Sequence, residues 1–238
     1  MNRDKDITFF LSTRNRADLL YSSLESIQNK CANSTALVGN ASSGEQLKKT
    51  SQVIASFKNA KEILFNPDPG ICIVYNKLHE MITTPFGVVW CDDLQLIESI
   101  DSLLVNFDNE NILLVALPMI DDASLIPGDL GWPTDKNGCA LWNTPTGRCA
   151  HISITRTRHF QALGTVCGNG LHDEIIDNYF HKNTTKYQRI WPTDKAYVYH
   201  KRRDDETRWE MLFNREGKIY RHTSEKRKSF KIRQQLKK

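Results

Sequence analysis

Over the first ninety residues a short apolar run, a polar break and a stretch with helical spacing follow one another repeatedly. Ile7-Thr8-Phe9-Phe10-Leu11-Ser12 is the first apolar run and predicts a strand, broken by Thr13-Arg14-Asn15-Arg16. From Ala17 to Asn29, Leu19, Leu20, Leu24 and Ile27 fall on one helical face. Thr35-Ala36-Leu37-Val38 predicts a second strand, ending in a loop of small polar residues from Gly39 to Gly44. Glu45 to Phe57 reads as a helix and Glu62-Ile63-Leu64-Phe65 as a third strand. Asn66-Pro67-Asp68-Pro69-Gly70 is turn chemistry. Ile71 to Ile82 is a third helix, and Phe86 to Trp90 a fourth strand that stops at two adjacent carboxylates, Asp92 and Asp93.

The order β-α-β-α-β-α-β predicts an α/β fold: a mostly parallel sheet with helices on both faces. Further on, the pattern predicts a helix over Glu98–Asn106 and a buried strand over Ile112–Met119. Residues 121–148 have no clear period, and segments of that kind in compact domains usually carry function or move. A strand over His151–Thr155, a short helix over Thr157–Leu163, a helix from His172 through His181 and a late strand over Ala196–Tyr199 complete the pattern.

Composition bounds the function. The 238 residues are 39% hydrophobic and 25% charged, ordinary for a globular protein, and no apolar run approaches a membrane span. The polar N-terminus carries no signal-peptide apolar region. None of the six cysteines forms a CxxC pair, so free thiols in a reducing cytoplasm are expected. The net charge of +4 hides an asymmetry: residues 214–238 hold ten Lys or Arg against two acids, a net +8. Residues 1–213 hold 22 basic and 26 acidic side chains. A basic extension on a mildly acidic body favours a polyanion such as nucleic acid or an anionic membrane, although solvated basic tails are also common.

Carboxylates where a buried parallel strand ends lie at the sheet edge where open α/β folds bind ligands. Paired acids there suit Mn²⁺ or Mg²⁺ shared with phosphate oxygens; taken alone, they are equally a solvated turn.

In order and spacing, these pieces resemble the inverting glycosyltransferases of the GT-A fold. The resemblance runs through Thr13-Arg14-Asn15-Arg16, Leu24-Glu25-Ser26-Ile27, the Val38–Gly44 loop and the trio Asn66, Gly70 and Asn76. It continues through Cys91-Asp92-Asp93 at the family's Asp-x-Asp, Asp173-Glu174 at its helix-opening acids, and Val198-Tyr199-His200 at its late strand. It covers roughly residues 7 to 203. It implies one GT-A-like domain over residues 1–213, with a nucleotide-sugar half (1–97) and an acceptor half (98–213), then the basic extension 214–238. Two positions depart from the family: Gly39 stands where an Asp commonly contacts the nucleobase, and Cys91 where the first metal-motif Asp stands.

The resemblance implies roles. Asp93 is the direct ligand of a divalent cation with His200 as a further ligand, and Asp92 serves the ribose or an outer contact to the metal. Glu174 is the general base, with Asp173 beside it. Thr13, Asn15, Arg16, Asn40, Gly70 and Asn76 cradle the nucleotide. Each residue also has a plain structural reading as a cap, turn or loop residue. The expected reaction moves a sugar from a nucleotide-diphosphate donor to a hydroxyl with inversion. Lys201-Arg202-Arg203 and the basic extension favour a polyanionic acceptor, above all DNA carrying a hydroxylated base. Trp132, Trp142 and Trp209 are candidates for stacking on bases. The alternatives are a cell-surface or lipid-linked glycan acceptor, and a catalytically inactive nucleic-acid-binding protein on the same fold. A nucleotidyltransferase would carry a Gly-rich phosphate loop that Thr13–Arg16 does not supply. Sugar identity and oligomeric state are left open.

Overall fold

The computed structural model describes residues 3–121, 152–158, 161, 188–190, 192 and 195–201. The acids Asp173 and Glu174, the tryptophans 132, 142 and 209, the expected helices over 157–163 (in its larger part) and 172–181, and the basic extension lie outside the described residues.

A seven-stranded sheet runs in the order β3-β2-β1-β4-β8-β6-β9. Its first four strands are β1 (Ile7–Thr13), β2 (Thr35–Asn40), β3 (Ala60–Leu64) and β4 (Phe86–Cys91), all parallel. They alternate with helices α1 (Ala17–Lys30), α2 (Gly44–Ala55) and α3 (Ile71–Glu80). Strand β8 (Ser153–Arg156) lies antiparallel between β4 and β6 (Ile112–Ala116), and β9 (Gln188–Ile190) pairs parallel with β6. Residues from either side of position 97 therefore share one sheet.

The strands look uniformly apolar in sequence because both faces of the sheet are covered. The two faces nevertheless sort by alternation. Phe9, Leu11, Val38, Val88 and Trp90 join one core with Leu20, Leu24 and Ile27 of α1 and Ile54 of α2. Phe10, Leu37 and Val89 join the other with Val74, Tyr75 and Leu78 of α3. Trp90, the largest fully buried side chain among the described residues, meets Phe9 edge-on with ring centroids 5.4 Å apart. Burying such a side chain contributes roughly 1.5–3 kcal/mol.

A second sheet holds β5 (Leu94–Leu96), β10 (Val198–His200) and β7 (Met119–Asp121). β10 pairs antiparallel with β5 and parallel with β7. The sequence pattern did not reveal this sheet, and it corrects two expectations. The run Ile112–Met119 is not one strand: it divides at Pro118, whose missing N–H stops the ladder while its carbonyl accepts from Tyr197 and Val198 at 2.8 and 3.2 Å. The residues after Asp93 form a strand, and the following helix is a 3-10 helix over Asp101–Asp108 rather than one from Glu98.

Gly39 and Asn40 are also strand residues, not loop. Gly39 pairs with Ser12 of β1 on one side and Ile63 of β3 on the other. A Cβ at Gly39 would stand 2.3 Å from Val74 Cγ1, so glycine is what lets α3 lie against the end of β2.

Candidate active site

The strand order reverses between β1 and β4, and ligands in open α/β sheets bind at such switch points, beyond the strand carboxyl ends. Five of the candidate residues meet there. β1 ends at Thr13, whose hydroxyl donates to Asp92 Oδ2 at 2.8 Å. Arg16, immediately before α1, donates through Nη1 to Asp92 Oδ1 at 2.7 Å and through Nη2 to Asp93 Oδ2 at 2.9 Å. His200, at the end of β10, brings Nε2 to 3.6 Å from the same Asp93 oxygen. The backbone N–H of Lys201 donates to the Asp93 carbonyl at 2.9 Å, so the second sheet closes over the acidic turn.

The two acids are not equivalent. The Asp92 side chain is 4% exposed and that of Asp93 11%, while Arg16 is 24% exposed. Burial, then the neighbouring Asp93 charge, hold Asp92 above the ordinary carboxylate range against the pull of Arg16 and Thr13. Burial also works to raise Asp93, but His200 at its side, and then Arg16, hold it far below that range. Asp93 is thus the firmly ionised member. Burial opposes the Arg16 charge, yet the two carboxylates more than offset it and keep the guanidinium above its ordinary pKa.

The end of β4 is fixed from within. Tyr75 donates its hydroxyl to the Trp90 carbonyl at 2.5 Å, and Trp90 Nε1 donates to Ser23 Oγ at 2.9 Å. Ser23 Oγ in turn donates to the Cys91 carbonyl at 3.3 Å. Cys91 itself is half-buried, with its Sγ 3.8 Å from the Tyr75 hydroxyl, and neither it nor buried Cys31 is in a disulfide. Ser26 accepts from the Leu96 N–H at 2.9 Å, tying α1 to the strand that follows the acids.

Beside the acids, the loop after β1 is stapled to the loop after β2. Asn15 adopts φ 55°, a left-handed conformation that Asn tolerates. Its N–H donates to Ser42 Oγ at 2.9 Å and its Oδ1 accepts from the Ser43 N–H at 3.1 Å. Asn40, fully buried, accepts from the Ser42 N–H at 3.0 Å and donates to Glu62 Oε1 at 2.6 Å. Gly70 caps α3 at φ 97°, where an L side chain would be strained, and its N–H donates to Asp68 Oδ1 at 2.8 Å. Asp68 also pairs with Arg14 at 3.0 Å. Asn76 lies within α3, beyond its first turn.

Thr13, Arg16, Asp92, Asp93 and His200 therefore converge, with Asn15 and Asn40 adjoining them through Ser42. Asp173 and Glu174, the expected base and its neighbour, lie outside the described residues. Ser42, Ser23, Tyr75 and Glu62 were missed in the sequence. Ser42 sits inside a motif that was read, whereas Glu62 looks like an ordinary surface acid on an edge strand.

No family model matches the sequence, and no curated protein matches it. Solved structures do. S. aureus TarS, residues 1–349, in complex with UDP superposes with a TM-score of 0.61 at 14% identity, over 82% of this chain and 60% of that one. The longer S. aureus TarS structure gives 0.61 at 13% identity, over 87% of this chain and 38% of that one. The mannosyltransferase PcManGT from Pyrobaculum calidifontis, in complex with GDP-Man and Mn²⁺, gives 0.61 at 12% identity, over 87% of this chain and 60% of that one. These likenesses show the fold, the GT-A-like fold of glycosyltransferases. The chain spans at most about three-fifths of the length of these neighbours.

Proposed function

We propose that the chain is a glycosyltransferase that takes a sugar from a nucleotide-diphosphate donor. The observation that carries this reading is the Asp92–Asp93 pair at the switch point of a GT-A-like sheet, organised by Arg16, Thr13 and His200. Two neighbours of the same fold are described with nucleotide ligands, one with UDP and one with GDP-Man and Mn²⁺.

The residues fit a divalent cation. Asp93 is a firmly ionised, partly exposed carboxylate and His200 brings an imidazole to its side. Among the described residues no group of three His, Cys, Asp or Glu side chains forms a closed metal cage. That pattern suits a cation shared with phosphate oxygens rather than one held by protein alone. Bound there, Mn²⁺ or Mg²⁺ would act as a Lewis acid on the leaving diphosphate. The protein's own part is to hold the nucleotide along the stapled loops 13–16 and 40–43, with Thr13 fixing Asp92. Glu174 is the proposed base that takes the acceptor hydroxyl's proton, giving direct displacement with inversion.

For the acceptor we favour a polyanion, DNA with a hydroxylated base above all. The support is the +8 extension and the Lys201–Arg203 run, which begins one residue after His200. Sugar nucleotides screened against duplex DNA, single-stranded DNA, glycans and lipid-linked acceptors, with products read by mass, test both parts. Transfer to DNA that weakens steeply with salt is expected. Absence of transfer or donor hydrolysis with every sugar nucleotide overturns the reading. Salt-insensitive transfer to a neutral glycan overturns the acceptor alone.

A further inference from the structure

The bridge that Arg16 makes across the two acids has a consequence for cation loading. One guanidinium satisfies an oxygen of each carboxylate, at 2.7 and 2.9 Å. On Asp93 it engages Oδ2, the oxygen that His200 also approaches. A cation directed to Asp93 by this pair of donors therefore meets a positive charge already in place. We infer that Arg16 is the resident counter-cation of the acid pair: it must release Asp93 before a divalent cation binds, and its freed guanidinium then serves the donor diphosphate. The inference rests on the proposed nucleotide-sugar reading.

Three features of the site make Arg16 the mobile member. It is the most exposed of the three side chains, at 24% against 4% and 11%. It stands in the loop between β1 and α1, before the helix begins at Ala17. Asp92, by contrast, keeps a second donor, the Thr13 hydroxyl, when Arg16 leaves. Asp93 is anchored through its backbone, since its carbonyl accepts from Lys201 N–H. The acids stay in place while the guanidinium moves. A planar, permanently charged fork also matches phosphate oxygens as well as it matches carboxylates.

This arrangement makes cation and nucleotide binding mutually reinforcing. Each ligand lowers the cost of displacing Arg16 for the other, and the coupling is reciprocal. The full chain would be titrated with MnCl₂ alone, followed by calorimetry and by the Mn²⁺ paramagnetic resonance signal, and then with Mn²⁺ in the presence of UDP or GDP. Arg16→Gln is expected to bind Mn²⁺ alone at least about tenfold more tightly than the parent. Arg16→Lys, which keeps the charge but not the fork, should fall between them. In ¹⁵N-labelled parent protein, the Arg16 guanidinium protons should be slow to exchange, and saturating Mg²⁺ should abolish that protection. The NMR experiment needs no variant, so it decides the matter even if Arg16→Gln does not fold. Equal or weaker Mn²⁺ binding by a folded Arg16→Gln, or Mg²⁺ binding that leaves the Arg16 protons protected, overturns the inference. So does the absence of any Mn²⁺ binding by parent and variant alike. If Mn²⁺ displaces Arg16 but no sugar nucleotide is turned over, the inference stands for the cation site and the glycosyltransferase reading falls.

Discussion

The end of β2 and the seam between β1 and β4 lie side by side at one sheet edge and are built on opposite terms. At the seam, charge is concentrated: a buried and a part-buried carboxylate share one guanidinium, and the second approaches an imidazole. The end of β2 carries no charged side chain. Gly39 stands where the resembling family carries an acid, and the space its side chain would need is taken by Val74 of α3. Charge survives burial only where it is matched, and the seam matches it within about 3 Å. An acid at position 39 would face the apolar side chains of Val74, Leu78 and Phe65 instead. The comparison teaches that charge is kept at this sheet edge where partners match it and is absent where α3 packs against β2; on the proposed reading, any nucleobase contact comes from residues other than position 39.

The largest expected effect comes from breaking the charged side. Asp93→Asn should lower kcat/KM for cation-dependent transfer by about 10³-fold or more, the scale of losing a Lewis acid worth several kcal/mol. Its thermal unfolding should stay within a few degrees of the parent. Transfer at the parental rate would remove Asp93 from the site. Glu174→Gln tests the base separately: donor binding should persist while kcat falls by roughly 10²–10⁴. If Asp173→Asn gives that pattern and Glu174→Gln does not, the two acids exchange roles.

Next comes the packed side. Gly39→Ala should destabilise the fold by about 1–3 kcal/mol, because a stiff β-branched Val74 must yield to the new methyl group. Denaturant unfolding of Gly39→Ala, Val74→Ala and the double variant gives the coupling directly. In the double variant Gly39→Ala should cost little or nothing. An unchanged cost would show that the close approach is not what selects glycine.

The same side predicts a pH dependence. His79 of α3 is 1% exposed, close to the Phe10 ring, and burial lowers its pKa from 6.5 to about 4. The unfolded chain therefore takes up the proton first as pH falls, and stability rises with pH between those values. Relative to neutral pH, His79 should cost the fold about 2 kcal/mol at pH 5. His79→Leu should flatten the acid limb of a stability–pH curve by that amount. An identical limb in parent and variant would exclude His79 as its source.

How much of this was legible follows the same division. The parallel strands, their order and the acids at the end of β4 could be read because apolar runs and abrupt polar stops are local signals. The late strand that became β10 was legible too, but β5 was not: it is three residues long, and its pairing with β10 is a contact about a hundred residues distant in sequence. Gly39 read as loop because glycine weakens strands, and only the approach of α3 explains it. Arg16 was legible as a cradle residue, but its bridge across both acids is a tertiary fact. Asp173 and Glu174 rest on motif order alone.

The smallest expected effect probes the hydrogen-bonded border between the two regions. Asn40 is buried, and its amide donates to Glu62 Oε1, which also accepts from Ser51 at 2.7 Å. Through its own oxygen Asn40 holds the Ser42 N–H, and Ser42 holds Asn15. Glu62 thus sets the far end of a chain of bonds that leads to the loop before Arg16. Glu62→Ala removes the outermost link and leaves the Asn40 amide with Ser51 at 3.4 Å. The loss should be about 1 kcal/mol of stability, the usual net worth of such a bond. On the proposed reading Glu62 supports the donor-binding loop only through Asn40 and Ser42, so donor KM should rise about fivefold with kcat unchanged. A hydrogen bond between partly buried groups is also screened little, so the KM ratio between variant and parent should hold from low to moderate salt. Asp93→Asn should instead show its loss chiefly in kcat. If Glu62→Ala lowers kcat as strongly as KM rises, the two regions are not separable, and the stapled loops belong to the reacting centre itself.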